Sequence, residues 1–301
     1  MMRGPGNWAV AVRTPSGSIA QVSRPIDSAM VHHWVLRLPI LRGVMALGES
    51  LAIGFRALAI SANYAAQEAD ADGEEVETEL SRGALIFAFA VAIGFAVMLF
   101  KVTPALITDW LPIKSTGWFV IVEGLIRVTI FVLYLGILSL LPDLRRVFQY
   151  HAAEHKAINA YEAGEELEPE IVQRYSLIHP RCGTAFLLWV MVIAILVYWT
   201  LGLIVGHLTL LWLIVSRIVM LFPIAGIAYE LIRFAGKHRS NRILKTLLAP
   251  GLWLQRLTTR EPERDQIEVA IAAFKRVYEL ETARASEPSI GATARPIDVI
   301  A

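Results

Sequence analysis

Four long apolar runs leave this chain few folds to choose from. Residues 84–100 are 17 consecutive uncharged residues, 118–141 are 24 with one acid and one base, and 184–203 and 209–230 are the third and fourth runs. Each approaches or exceeds the roughly 20 residues that cross a hydrocarbon core of about 30 Å. Helices are the only open-ended elements that can span it with every backbone group paired. The sequence therefore reads as an all-α membrane protein of four transmembrane helices in two hairpins. Composition agrees, with 55% apolar and 18% charged residues against about 45–50% and 25% in an ordinary soluble domain. A net charge of +1 excludes a strongly basic nucleic-acid binder, and the single cysteine, Cys182, excludes a disulfide framework. Met1 to Ala11 contain no apolar core of a signal peptide, so none is expected.

Basic residues outside the runs set orientation. Arg3, Arg13, Arg24, Arg37, Arg42 and Arg56 precede the first run, and Arg145, Arg146, Lys156, Arg174 and Arg181 lie between the second and third. Residues 231–260 carry seven bases and no acid until Glu261, whereas the link near Gly206 and His207 has no Lys or Arg. With four spans all three basic segments share one side, so both termini and the 142–183 loop are expected in the cytoplasm.

The remaining segments follow from local pattern. Residues 1–34 contain two period-2 runs around Thr14-Pro15-Ser16-Gly17, which read as a β-hairpin. A hairpin alone is marginal in water, so it must dock on something or belong to a larger sheet whose upstream strand is absent from this chain. Residues 35–62 are apolar enough to span but carry Arg42, Glu49 and Arg56 at seven-residue intervals, a single polar stripe. An amphipathic or re-entrant helix is the preferred reading, and a fifth span is its rival. Residues 63–83 form an acidic linker, 84–141 the first pair of spans, 142–183 a cytoplasmic helical insertion and 184–230 the second pair. Residues 231–282 form a basic tail in which Asp265 and Glu268 suggest a capping box for an amphipathic helix over 265–282, and 283–301 are expected to be disordered.

The sharpest chemical signal lies in the insertion. His151-Ala152-Ala153-Glu154-His155 has the H-x-x-E-H arrangement of inverted zincins. Helical spacing brings the two imidazoles about 40° apart, one turn from each other, so they can converge on one divalent metal, zinc being the expected one. Glu154 could then act as general base toward a metal-bound water of lowered pKa. Pro142-Asp143 and Gly164 suit the start and stop of such a helix. A His pair on an exposed helix can also be no more than a solvated face. A third ligand is required, and His179-Pro180-Arg181-Cys182-Gly183, just before the third span, offers His179 or Cys182. Glu162 shares the face of His155 but lies roughly 10 Å further along, which suits a supporting contact or a different group rather than the same ion. Within the spans, Glu123 and Arg127 are four residues apart and Arg217 stands in the fourth run. Intramembrane charges are functional hypotheses by default, although an internal ion pair fixing helix packing explains the first two, and Arg217 would need Glu230 or a lipid headgroup.

These motifs together resemble the bacterial YqhQ family, a domain of unknown function described as a predicted metal-dependent membrane protein. The resemblance rests on Met1-Met2-Arg3-Gly4-Pro5, LRGVMAL at 41–47, LPDLRRVFQYHAAEHKAINAYE at 141–162, HPRCGTAFLL at 179–188 and LQRLTTREPERDQIEVAIAAF at 254–274. Family sequences extend upstream of the first of these with a Gly-rich, apolar segment. The resemblance implies a multi-pass protein of the bacterial cytoplasmic membrane. Two functions follow: a metal-dependent hydrolase with His151, His155 and His179 or Cys182 as ligands and Glu154 as base, or a non-enzymatic scaffold or carrier in which the same cluster is structural. The partners implied are the bilayer and a substrate that no motif names, and no nucleic acid.

Overall fold

Gly17, at φ +83°, closes the expected turn between two antiparallel strands, β2 (Asn7–Arg13) and β3 (Ile19–Pro25), and a two-residue strand, β1 (Met2–Arg3), pairs with the far edge of β2. Two residues are too few to show alternation, which is why the sequence reading finds only the hairpin. The structure is a computed structural model that describes residues 1–71, 82–180, 182–205, 210–237 and 242–286. Arg181, His207 and most of the acidic run fall outside the described residues, as do 287–301 of the 283–301 stretch expected to be disordered, whose first four residues instead continue the last helix to Ser286.

The sheet is followed by a short helix α1 (Ala29–His32), whose first turn is capped by the Ser28 hydroxyl accepting from the Met30 N–H, and by a 3-10 turn at Trp34–Arg37. The next helix, α2, runs over Leu41–Ala71 and takes in the ambiguous 35–62 element from Leu41 onward, its first residues falling in the 3-10 turn and the link after it. The first hairpin is α3 (Arg82–Val97), a π-helical turn at Met98–Val102, α4 (Thr103–Asp109) and α5 (Thr116–Leu138). Its first limb thus continues past residue 100, where the apolar run ends. Pro104 has no N–H to donate, and the widened turn before it absorbs the break while the Thr103 hydroxyl donates to the Met98 carbonyl at 2.9 Å. The insertion folds as α6 (Pro142–Glu162) and α7 (Pro169–Val172), the second hairpin as α8 (Gly183–Val205) and α9 (Leu210–Lys237), and the tail as α10 (Arg242–Thr258) and α11 (Arg264–Ser286). The reading of the tail anticipates α11 but not α10.

Among the described residues, five helices are long and apolar enough to cross a membrane: Leu41–Tyr64, Ala90–Asp109, Thr116–Leu138, Gly183–Val205 and Val215–Ala235. Four of them are the expected hairpins, and the fifth is the 35–62 element. In the hairpin core α5 lies close to α8 because Gly124 has no side chain: a Cβ there would sit 2.3 Å from Ile195 Cγ1. Small residues at such crossings let helices approach where no hydrophobic drive exists between them.

Outside the hairpins, α6 and α11 pack on one face of the sheet. Ala153, Ala157 and Ile158 meet Ile267, Ala270, Phe274 and Val277 beneath Met2, Ala9 and Ala11. The other face of β2, carrying Trp8, Val10 and Val12, packs on Ile53 and Ala57 of α2. The hairpin therefore docks on both sides, which accounts for its stability. Leu254 of α10 joins Phe131, Leu135 and Leu188, fastening this body to the ends of α5 and α8. The cap of α11 differs from the expected one: the Gln266 side chain accepts from the Glu263 N–H at 2.9 Å, while Glu268 pairs with Arg13 instead.

Candidate metal centre

Pro142 at the first position of α6 and Gly164, left-handed at φ +81° just beyond its end, bound the helix where the sequence places its start and stop. One turn apart on it, His151 and His155 bring their rings to a centroid distance of 4.4 Å. Cys182, the last residue before α8, completes a group in which one ligand atom from each of His151, His155 and Cys182 lies within 4.8 Å of the others. His155 and Cys182 are buried, and His151 is half-buried.

Each imidazole is oriented by its other nitrogen. His151 Nδ1 lies 3.0 Å from the Thr258 carbonyl at the end of α10, and His155 Nδ1 lies 2.6 Å from the Leu177 carbonyl in the loop after α7. A carbonyl can only accept, so both Nδ1 atoms carry hydrogen, which leaves each Nε2 as the nitrogen available to a metal. This is how metal-binding histidines are commonly held. His151 Nε2 is 3.2 Å from Cys182 Sγ. Tetrahedral zinc with bonds of about 2.0–2.1 Å to nitrogen and 2.3 Å to sulfur separates those atoms by about 3.5 Å, so the pair would open by only a few tenths of an ångström.

The charges suit a cation. Burial pushes the Cys182 thiol up, but hydrogen bonds from His151 and His155 outweigh it and hold the thiol well below its ordinary range. Burial lowers the His151 imidazole, yet the Cys182 hydrogen bond and charge, the Thr258 carbonyl and the Glu154 charge together raise it to about 9. Both shifts favour a proton on His151 and a charge on the sulfur. The thiolate is the form of the sulfur that binds metal, and an ion held there would take the place of the proton on His151.

Of the two candidates for third ligand, Cys182 joins the histidine pair. His179 packs beside His155 at 6.0 Å between ring centroids, and its Nε2 faces Glu162 Oε2 at 3.3 Å. Glu162 accordingly contacts a different group, as its distance along the helix implies. Glu154 lies outside the three-residue group, and its carboxylate forms an ion pair with the Met1 ammonium. Several residues that sequence reasoning passes over build the surroundings. Gln255, fully buried, accepts from the His179 N–H at 2.9 Å and donates to its carbonyl at 2.8 Å. Asn159 donates to the carbonyls of Ser176 and Ile178, and Lys156 to that of Gln173, so the 173–179 loop is laid along α6. The sequence signal for them is the cluster Gln255, Thr258 and Thr259 at the end of a largely apolar and basic segment.

Within the bundle Glu123 pairs with Arg127, as the spacing predicts, and also meets Arg217 Nη1 at 3.5 Å. The expected partner of Arg217, Glu230, is instead held by Arg42 through bonds of 2.6 and 2.5 Å. Arg42 lies at the start of α2, which no reading of α9 alone brings near.

A family model described as a protein of unknown function, DUF1385, matches residues 38–280. An uncharacterised protein of Bacillus subtilis strain 168, YqhQ, is 33% identical over 290 residues, covering 93% of this chain and 90% of that protein. No solved structure matches the chain. With most of its length matched by the one and aligned to the other, this chain belongs to the DUF1385 family of membrane-type helical proteins that includes YqhQ.

Proposed function

We propose that the chain is a membrane-bound metalloprotein whose divalent ion, zinc, is held by His151, His155 and Cys182, and that the centre is hydrolytic with Glu154 as base. One observation carries the metal: three donor atoms within 4.8 Å of one another, with both Nδ1 atoms committed to carbonyls. Imidazole and thiolate together select zinc over the hard cations. Among the described residues the group has three protein ligands, the number found in catalytic centres, where one position stays open. A divalent ion there supplies Lewis acidity and lowers the pKa of a water that it binds. The part of this chain is to hold the ring orientations through Thr258 and Leu177 and to present Glu154 beside the ligands.

A structural centre in a scaffold or carrier is favoured by a different observation. His155 is 1% and Cys182 4% exposed. Elemental analysis of the purified protein beside a His151→Ala, His155→Ala variant tests the metal: about one zinc per chain, lost in the variant, is expected. Glu154→Gln separates the two functions. In the hydrolytic reading it keeps metal and thermal stability yet fails to complement a deletion strain. Full complementation with metal retained leaves the scaffold, and loss of metal with stability makes Glu154 a ligand instead.

A further inference from the structure

We infer that α2 does not cross the membrane but lies in the plane of one leaflet, with the bilayer interface as the partner of its exposed apolar face. The first argument is parity. The sheet, α6 and α11 share one hydrophobic core, so all three stand on the same side of the membrane. The chain must then cross an even number of times between the sheet and α6. Three of the long apolar helices lie in that interval, Leu41–Tyr64, Ala90–Asp109 and Thr116–Leu138. If all three crossed, the sheet and α6 would be on opposite sides and could not touch. Between α6 and α11 the two remaining candidates return the chain correctly.

Packing identifies which helix stays behind. The last two of the three form an antiparallel pair in which Arg127 of α5 donates to the Phe100 carbonyl and Phe100 packs on Phe131 and Tyr134. Helix α2 packs on α9 at its start, where Gly43 lies against Tyr229 and Arg42 pairs with Glu230, but over residues 46–60 it is held by the sheet. Glu49 accepts from Arg3 at 2.8 Å, Ser50 bonds Arg3 at 2.5 Å, and Ile53 and Ala57 are buried against Trp8 and Val10. If residues 46–60 lay in the hydrocarbon core, the sheet would lie there too. β3 is an edge strand, and its unpaired backbone groups cannot be accommodated in lipid.

The opposite face of α2 is built for lipid. At about 100° per residue, Leu47, Leu51 and Leu58 fall within about 40° of one another and roughly opposite Ile53. They are 40%, 59% and 67% exposed, and Trp34, just upstream, is 71% exposed. Arg42, Glu49 and Arg56, the stripe that makes the sequence ambiguous, lie on the half of the helix away from the leucines, where Glu49 pairs with Arg3 of the sheet and Arg42 with Glu230 of α9. A helix with one face on a folded domain and a leucine stripe on the other, continuous with membrane-spanning hairpins, suits the boundary of headgroups and acyl chains.

Two measurements on the full-length protein in inside-out vesicles and in intact cells test this, with the parent as blank because Cys182 is buried. Ser16→Cys in the sheet turn, Gly83→Cys at the start of α3 and Lys114→Cys in the link between α4 and α5 are labelled with a membrane-impermeant maleimide. Ser16→Cys and Gly83→Cys reacting from one side and Lys114→Cys from the other is the expected result. Gly83→Cys reacting from the side opposite Ser16→Cys would overturn the inference. Nitroxides at Leu47→Cys and Leu58→Cys are then compared by depth in reconstituted bilayers: a spanning helix separates them by about 16 Å along the membrane normal, at about 1.5 Å per residue. Nearly equal depths support the in-plane helix, and a separation of that size rejects it.

Discussion

Gln255 satisfies the N–H and the C=O of His179 together while fully buried. Replacing it by Leu keeps the bulk and removes both partners, at a cost of about 1–3 kcal/mol for each buried group left unpaired. The strain falls on the loop that carries the Leu177 carbonyl, and with it the orientation of His155. Gln255→Leu should therefore lower the melting temperature and, if the proposed centre holds zinc, weaken its binding by about 10–100-fold, the usual size of an effect on ligand orientation. Competition with a chromogenic chelator measures it, and affinity equal to the parent's would show that α6 alone orients the ring. The Glu123 cluster yields a second expectation. Glu123 serves two arginines, so Glu123→Leu, Arg127→Leu still leaves Arg217 without its carboxylate. Removing one partner of a buried pair costs about 3–5 kcal/mol. Thermal unfolding in detergent should rank Glu123→Leu as the most damaging and the triple change to Leu as milder than the double. A double variant as stable as the triple would mean that Arg217 reaches water. At this scale the sequence reveals residues whose spacing is itself chemistry: His151 and His155 one turn apart, Glu123 and Arg127 likewise. It leaves His179 and Cys182 as equals and cannot pair Arg42 with Glu230, because those choices depend on how distant segments pack.

The start of α2 turns on one close approach. Ile40 is left-handed at φ +73°, uncommon for a β-branched residue, and Gly226 of α9 lies against it. A Cβ on Gly226 would sit 2.4 Å from Ile40 Cγ2 and 2.5 Å from the Ile40 carbonyl oxygen. Gly226→Ala should thus destabilise the protein by about 1–3 kcal/mol, as overpacking does. Ile40→Gly should not rescue it, since the backbone contact remains. Melting curves of the single and double variants check this, and full rescue would place the clash in the side chain alone. The same contact explains why helix limits were harder to read than helix existence. Apolar runs mark where lipid is, so α5, α8 and α9 appear in the sequence nearly whole. The π-helical turn at Met98–Val102 extends the first limb beyond its apolar run, and α10 hides in a basic segment interrupted by Pro250 because its apolar face is covered only once α5 and α8 are in place.

The molecule as a whole consists of two helical hairpins and one polar body assembled from the two ends of the chain and its middle. Such a body must fold on one face of a membrane, and charge decides which one. Its segments carry most of the arginine and lysine, including Arg145 and Arg146 at the start of α6 and Arg256 and Arg260 at the end of α10, whereas the link between α4 and α5 has Lys114 with Asp109 nearby. Basic residues close to the ends of spans are retained in the cytoplasm. The body, with the candidate centre at its junction with α8, is therefore expected to face the cytoplasm. Lys156 is buried and would give no signal, so Glu166 and Glu279, both exposed, are the positions to convert to Cys, with Lys114→Cys and His207→Cys for the opposite face. In intact cells an impermeant reagent should label positions 114 and 207 alone, and permeabilisation should add 166 and 279. Labelling of position 166 in intact cells would invert the orientation while preserving the fold. A split between 166 and 279, one inside and one outside, would be more serious, because α6 and α11 share a core through Ile158 and Phe274 and cannot be separated by a bilayer.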